Sequence, residues 1–274
     1  MQELFLSTGL NRHIYSVDVY FTVKNFIPLY VWNGMYLYKE LLRMFEEVGL
    51  SFNHRARKPF TISPIVDIDD MYVDVLEPDK VYRFRFSTLN IELLEVFRKA
   101  LYENQDIFNV IRMEVGSIDL STHSLFFRLS TQSESTRCLA FIDIRFLPTL
   151  FKFHGHVVLY PSPQRFIASV LRDLYLATGV DLRKQLEYFV HNFEIISYRT
   201  RIAKLYIGKN NGNIDRYVRA FYGKVRYIAV VEQNNIELLN LLLNIAKNLG
   251  VGKNRAIGLG DIRIINIDIK THNM

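Results

Sequence analysis

Cysteine occurs once, at Cys138. A lone thiol excludes an intramolecular disulfide and a structural thiolate metal site, and it suits a reducing compartment, so a cytoplasmic protein is expected. No run approaches the roughly 18 apolar residues that a membrane span requires, so no membrane association is expected. Residues 1–13 lack a charged stretch followed by an apolar one, and no secretory leader is expected. Acidic charge is scarce where basic charge is dense: residues 198–226 hold eight cations and one acid, Asp215, a local net of +7. The whole chain carries only +6, so the remainder is close to neutral. Asp67, Asp69, Asp70, Asp74, Glu77 and Asp79 form an opposing acidic loop. This polarity suggests a polyanionic partner that avoids the acidic face.

What is present is a core. Hydrophobic residues make up 49% of 274 positions, enough for two ordinary domains. Residues 14–24 are β-branched and aromatic and predict a first strand. Tyr38, Leu41, Leu42 and Phe45 share a helical face in a segment ending at Gly49. Strands are expected over 60–68 and 80–87, a helix capped by Asn90 follows, and a strand spans 108–120 with 125–129 as its extension. The polar run 130–137 contains no large apolar residue and reads as a linker. Beyond it come a strand at 139–147, a helix opened by Pro161-Ser-Pro-Gln, a hairpin of 194–207 with 217–231, a helix from Ile236 and a last strand at 261–269. The order β-α-β-β-α-β thus occurs twice. The expected class is α+β, with two tandem ferredoxin-like, RRM-like domains at 1–130 and 138–274.

Between the last helix and last strand lies Leu249-Gly-Val-Gly-Lys-Asn-Arg-Ala-Ile-Gly-Leu-Gly-Asp-Ile-Arg263. Phosphate loops of the P-loop and dinucleotide type run from strand to helix, and a P-loop needs Ser or Thr after its lysine. Here the order is reversed and Asn254 follows Lys253, so both are excluded. A single glycine would serve as a helix stop; four allow the backbone to approach another closely.

This loop, with glycines at 250, 252, 258 and 260, resembles that of the CRISPR-repeat-processing endoribonucleases of the RAMP superfamily. Lys58-Pro-Phe-Thr-Ile-Ser-Pro64 and Leu159-Tyr-Pro-Ser-Pro-Gln strengthen the likeness, which runs from about residue 30 to the end. The resemblance implies cofactor-free and metal-independent cleavage of precursor CRISPR RNA within its repeat. The 2′-hydroxyl before the scissile phosphate would attack, leaving 2′,3′-cyclic phosphate and 5′-hydroxyl ends. Such chemistry requires a base, an acid and a cation for the phosphorane charge. By family position the implied catalytic residues are His54, Lys58 and a tyrosine of the first helix, Tyr38 before Tyr36. Cations around His54 should favour its neutral, base-competent form. A solvated basic loop is the plain alternative.

RNA contacts are expected from Arg55 and Arg57, from Arg199, Arg201, Lys204, Lys209, Arg219, Lys224 and Arg226 of the hairpin, and from Gly250, Gly252, Lys253, Arg255, Gly258 and Gly260. Tyr198, Tyr206, Tyr217, Phe221 and Tyr222 lie between the hairpin charges. Some would stack on bases and others would form the hairpin's core face. His154 and His156 fall on one side of a strand, without the further ligands a zinc site needs. The resemblance implies repeat RNA, as precursor and mature guide, as partner, and leaves room for other CRISPR-associated subunits and for a homodimer. Two readings compete with cleavage: a non-catalytic RAMP subunit holding guide RNA in an interference complex, and a general RNA-binding protein.

Overall fold

The computed structural model describes residues 12–53, 56–120, 136–180, 183–210 and 212–272. His54, Arg55 and most of the segment expected to link the domains lie outside the described residues. The chain divides into two compact units, and the division is not contiguous. The first comprises residues 1–118 with 204–218 and 254–259, and the second comprises 119–203, 219–253 and 260–274.

In the first unit, strand β1 (His13–Thr22), β2 (Ile27–Pro28), helix α1 (Asn33–Glu47), β3 (Phe60–Ile62), β4 (Val75–Leu76), β5 (Tyr82–Thr88), α2 (Ile91–Glu103) and β6 (Asn109–Asp119) follow in order. The main sheet runs β3-β5-β1-β6, and β2 pairs with β4 separately. Alternation places Val17, Val19 and Phe21 of β1 beside Phe84 and Phe86 of β5 on one face, where they form a core with Leu37, Leu41, Met44 and Phe45 of α1. Helix α2 begins where Asn90 Oδ1 accepts the Leu93 N–H at 3.1 Å. Its Phe97 stacks on Phe86 with ring centroids 4.0 Å apart. The strand expected over 60–68 is shorter than its sequence suggests. It ends at Ile62 and yields to the isolated bridges of Val66 with Tyr72 and Arg83. Pro64 explains the break, because it cannot donate to a ladder.

In the second unit the sheet runs β10-β11-β7-β12, from β7 (Arg137–Thr149), β10 (Phe193–Lys209), β11 (Asp215–Glu232) and β12 (Ile262–His272). Both main sheets therefore have the ferredoxin-like order, with the first and third strands of the repeat at the centre. Helix α3 (Pro163–Thr178) starts at Ser162 and ends on Gly179 in the left-handed conformation. It packs on the sheet through Phe166, whose ring lies 6.2 Å from Phe146 and 5.7 Å from Tyr227. Helix α5 (Ile236–Leu249) lies beside it. Two additions were not expected: helix α4 (Arg183–Asn192), and a short hairpin of β8 (Phe151–Phe153) with β9 (His156–Val158). The hairpin corrects the view of the histidines. His154 occupies the turn with φ of 45°, so His154 and His156 do not share a strand face. Among the described residues no helix is long and apolar enough to cross a membrane.

Candidate functional site

In the first unit the start of α1 is held by two distant stretches of chain. The Trp32 backbone N–H donates to the Tyr206 carbonyl at 2.7 Å. Its indole Nε1–H donates to the Ile257 carbonyl at 2.9 Å, and its ring meets Tyr72 edge-on at 5.4 Å. Next to it, the amide of Asn33 donates to the carbonyls of Ile65 and Val73 at 2.8 and 2.9 Å. Residues 204–218 and 254–259, the hairpin end and the centre of the glycine loop, thus belong with the first turn of α1.

The glycines of that loop answer to the chain's own backbone. A Cβ on Gly258 would stand 2.8 Å from the Gly34 Cα and 3.2 Å from the Pro64 nitrogen, and its φ is 75°. A Cβ on Gly260 would overlap the Val251 carbonyl oxygen, the atom beside which the loop closes as the Val251 N–H donates to the Gly260 carbonyl at 2.8 Å. Gly252 donates its N–H to Ser169 Oγ at 2.9 Å. Of the loop's two cations, Lys253 is exposed and Arg255 is 7% exposed. Burial departs from the expectation that Arg255 presents its charge to an RNA backbone.

Helix α1 carries both candidate tyrosines. Tyr38 is half-buried, with its ring 6.4 Å from Phe60, two residues beyond Lys58. Burial raises its pKa. Tyr36 is pushed up to about 12, first by burial and then by the Glu40 carboxylate, with Arg43 opposing. Both phenols therefore hold their protons at neutral pH and are suited to donating rather than accepting one. Lys58 donates from Nζ to the Asn53 carbonyl at 2.6 Å, and desolvation lowers its pKa. Arg57 is exposed. The structure therefore brings Tyr38 near the strand that follows Lys58, while His54 and Arg55 are outside the described residues.

On the hairpin, Arg199, Arg201, Lys204, Lys209, Arg219, Lys224 and Arg226 are all exposed. Arg226 is already engaged: its Nε and Nη2 both donate to Asp143 at 2.7 Å. That bond and the charges of Arg226 and Lys224 hold the Asp143 carboxyl below its ordinary range, against the opposing effect of desolvation. The aromatics divide. Phe221 is fully buried, Tyr198 and Tyr217 are 63% and 46% exposed, and Tyr206 and Tyr222 are intermediate. Lys204 Nζ lies 4.1 Å from the Tyr217 ring centroid. The residue that fastens the hairpin end and the glycine loop to α1, and that the sequence motifs did not single out, is Trp32. Its signal was available, as the only tryptophan stands immediately before α1.

Residues 144–262 match the family model of the CRISPR-associated endoribonuclease Cas6. No curated protein matches the sequence. Among solved structures, the chain is similar to a Cas6 product complex, at 18% identity and TM-score 0.62, over 93% of this chain and 100% of the other. It is similar to Thermus thermophilus Cas6, at 20% identity and TM-score 0.59, over 92% and 98%. A Cas6-related protein of Pyrococcus furiosus aligns at 14% identity and TM-score 0.53, over 92% and 99%.

Proposed function

We propose that this chain is a CRISPR-repeat-processing protein of the RAMP superfamily, and that it is an endoribonuclease cutting precursor CRISPR RNA within the repeat without a metal ion. The observation that carries the reading is the match of residues 144–262 to the Cas6 endoribonuclease family, in a chain that also bears Lys58 before β3. The 2′-hydroxyl preceding the scissile phosphate attacks phosphorus. The leaving 5′ oxygen takes a proton, and the products end in 2′,3′-cyclic phosphate and 5′-hydroxyl.

In this mechanism His54 exchanges the protons, as base toward the 2′-hydroxyl or acid toward the leaving oxygen. Lys58, whose ammonium is partly desolvated, stabilises the phosphorane charge. Tyr38 donates a hydrogen bond, a role consistent with its raised pKa. The exposed cations of β10 and β11, with Arg55, Arg57 and Lys253, hold the RNA backbone. The stacking surfaces are Tyr198 and Tyr217. Precursor and mature guide RNA are the partners, other CRISPR-associated subunits and a second copy of the chain could join them, and the setting is cytoplasmic. Along the sequence the two ferredoxin-like repeats part near 130–138, while residues 204–218 and 254–259 of the second repeat belong to the first compact unit.

The test is incubation of the purified protein with its cognate repeat in excess chelator, followed by analysis of product ends. Cleavage to a 2′,3′-cyclic phosphate and a 5′-hydroxyl is expected. Loss of cleavage with chelator, or a 3′-hydroxyl product, contradicts the mechanism. A repeat bound tightly but left intact favours the alternative, a guide-holding subunit without catalytic activity.

A further inference from the structure

The two sheets treat their charges differently on the faces opposite their helices. In the first unit the arginines of this face are matched by acids. Asp18 lies directly across from Arg85 in register, and Arg85 donates to it at 3.1 Å. Arg83 pairs with Asp70 and lies 3.5 Å from Asp18, while Arg112 pairs with Glu114 at 3.2 Å. Such matching is what cross-strand neighbours require, because like charges set opposite one another destabilise a sheet.

The second unit breaks this rule at one row. Lys224 of β11 and Arg263 of β12 both lie directly across from Arg145 of β7, so three cations cross three adjacent strands. They occupy the face opposite the buried Ile144 and Phe146. Arg263 has a partner, Asp261, at 2.9 Å and is largely buried. Arg145 and Lys224 make no hydrogen bond or ion pair with a described residue. Asp143 lies two residues along β7 on the same face, but both its oxygens are taken by Arg226. Lys224 feels that carboxylate only through space, with no direct ion pair.

We infer that Arg145 and Lys224, with Arg263 as the fixed end of the row, form a seat for backbone phosphates of single-stranded RNA on this sheet. The inference rests on the RNA-directed reading above, which already assigns Lys224, and adds to it Arg145 and Arg263 on the neighbouring strands. Arg145 offers a planar fork of donors suited to phosphate oxygens, and Lys224 adds a mobile point charge. Arg263, oriented by Asp261, contributes field more than contact. The seat reads phosphate and not base identity, so it sets affinity and salt dependence without choosing a sequence.

The experiment measures binding of a fluorescein-labelled twelve-residue oligouridylate by the full chain across a salt series. The variants are the double substitution Arg145→Gln with Lys224→Gln, and a charge-matched control on α2, Arg98→Gln with Lys99→Gln. Thermal melting verifies that each is folded; if the double variant is not, the single variants are used. The slope of log affinity against log salt should flatten by about 1.4 in the seat variant, since each single-strand phosphate contact contributes about 0.7, and stay unchanged in the control. An unchanged slope, an equal change in both variants, no binding of the oligouridylate, or equal competition by a twelve-residue oligoglutamate would overturn the seat. Repeat cleavage with an unchanged oligouridylate slope sinks the seat alone. A flattened slope in a protein that cuts no repeat sinks the nuclease reading and leaves the seat.

Discussion

At the residue scale, the glycine loop shows how one sequence feature can serve packing. Gly258 is both left-handed and in backbone contact with Gly34, so no side chain fits there without displacing the first turn of α1. Gly258→Ala should lower stability by about 1–3 kcal/mol in urea unfolding, the cost of strain at such a backbone position. A glycine reserved only for RNA approach would leave stability unchanged and lower affinity alone. Trp32→Phe keeps most of the apolar ring and removes the donor to Ile257. The orphaned carbonyl should cost about 1–3 kcal/mol by the same measurement. Lys58 predicts a pH effect. Its folded pKa is lowered by desolvation, so the ammonium is complete below that value and is lost as pH rises through it. Cleavage that depends on this charge should fall on the alkaline side before the ordinary lysine range is reached. Lys58→Arg should move that fall to higher pH, and Lys58→Ala should slow single-turnover cleavage by about 10²-fold or more with little change in RNA affinity.

At the element scale, the strands and helices that bury one clean face were readable. Strand β1 alternates Val17, Val19 and Phe21 inward, and α2 announces itself through Asn90 and the spacing of Leu93, Leu94, Phe97 and Leu101. Asn90→Ala should cost about 1 kcal/mol of stability, seen as a lower melting temperature, because the Leu93 N–H loses its acceptor. Helix α4 does carry a helical period, Leu186, Phe189, Val190 and Phe193 at i, i+3, i+4 and i+7, but it escaped notice because it spans only ten residues and runs straight into β10 at Phe193. The β8 and β9 hairpin escaped because its turn is His154-Gly155, where a histidine takes the left-handed position usually held by Asn or Asp. In the candidate site, Lys58 and Tyr38 enter through the family resemblance, whose motifs are local in sequence, and not through periodicity or charge. The backbone that Gly258 must approach, the burial of Arg255 and the Arg145 row were not legible. Each depends on strand register or on segments more than a hundred residues apart, and periodicity carries neither.

At the scale of the whole molecule, one fold appears twice with different consequences for charge. The first repeat spends its acids on its own arginines, whereas the second leaves the cations of β10 and β11 facing solvent. A formal net of +6 therefore understates the field that an RNA strand would meet at residues 198–226. Binding of the repeat should weaken steeply with salt, and a titration from about 50 to 200 mM monovalent salt should show it, because several phosphates are neutralised together. The central claim, however, concerns bond cleavage. Its most direct measurement is cleavage of a cognate repeat carrying a single 2′-deoxy nucleotide immediately before the scissile phosphate, compared with the all-ribose repeat under chelator. The nuclease account predicts that the deoxy substrate binds with unchanged affinity and is not cut. Cleavage of the deoxy substrate at the same position would contradict it.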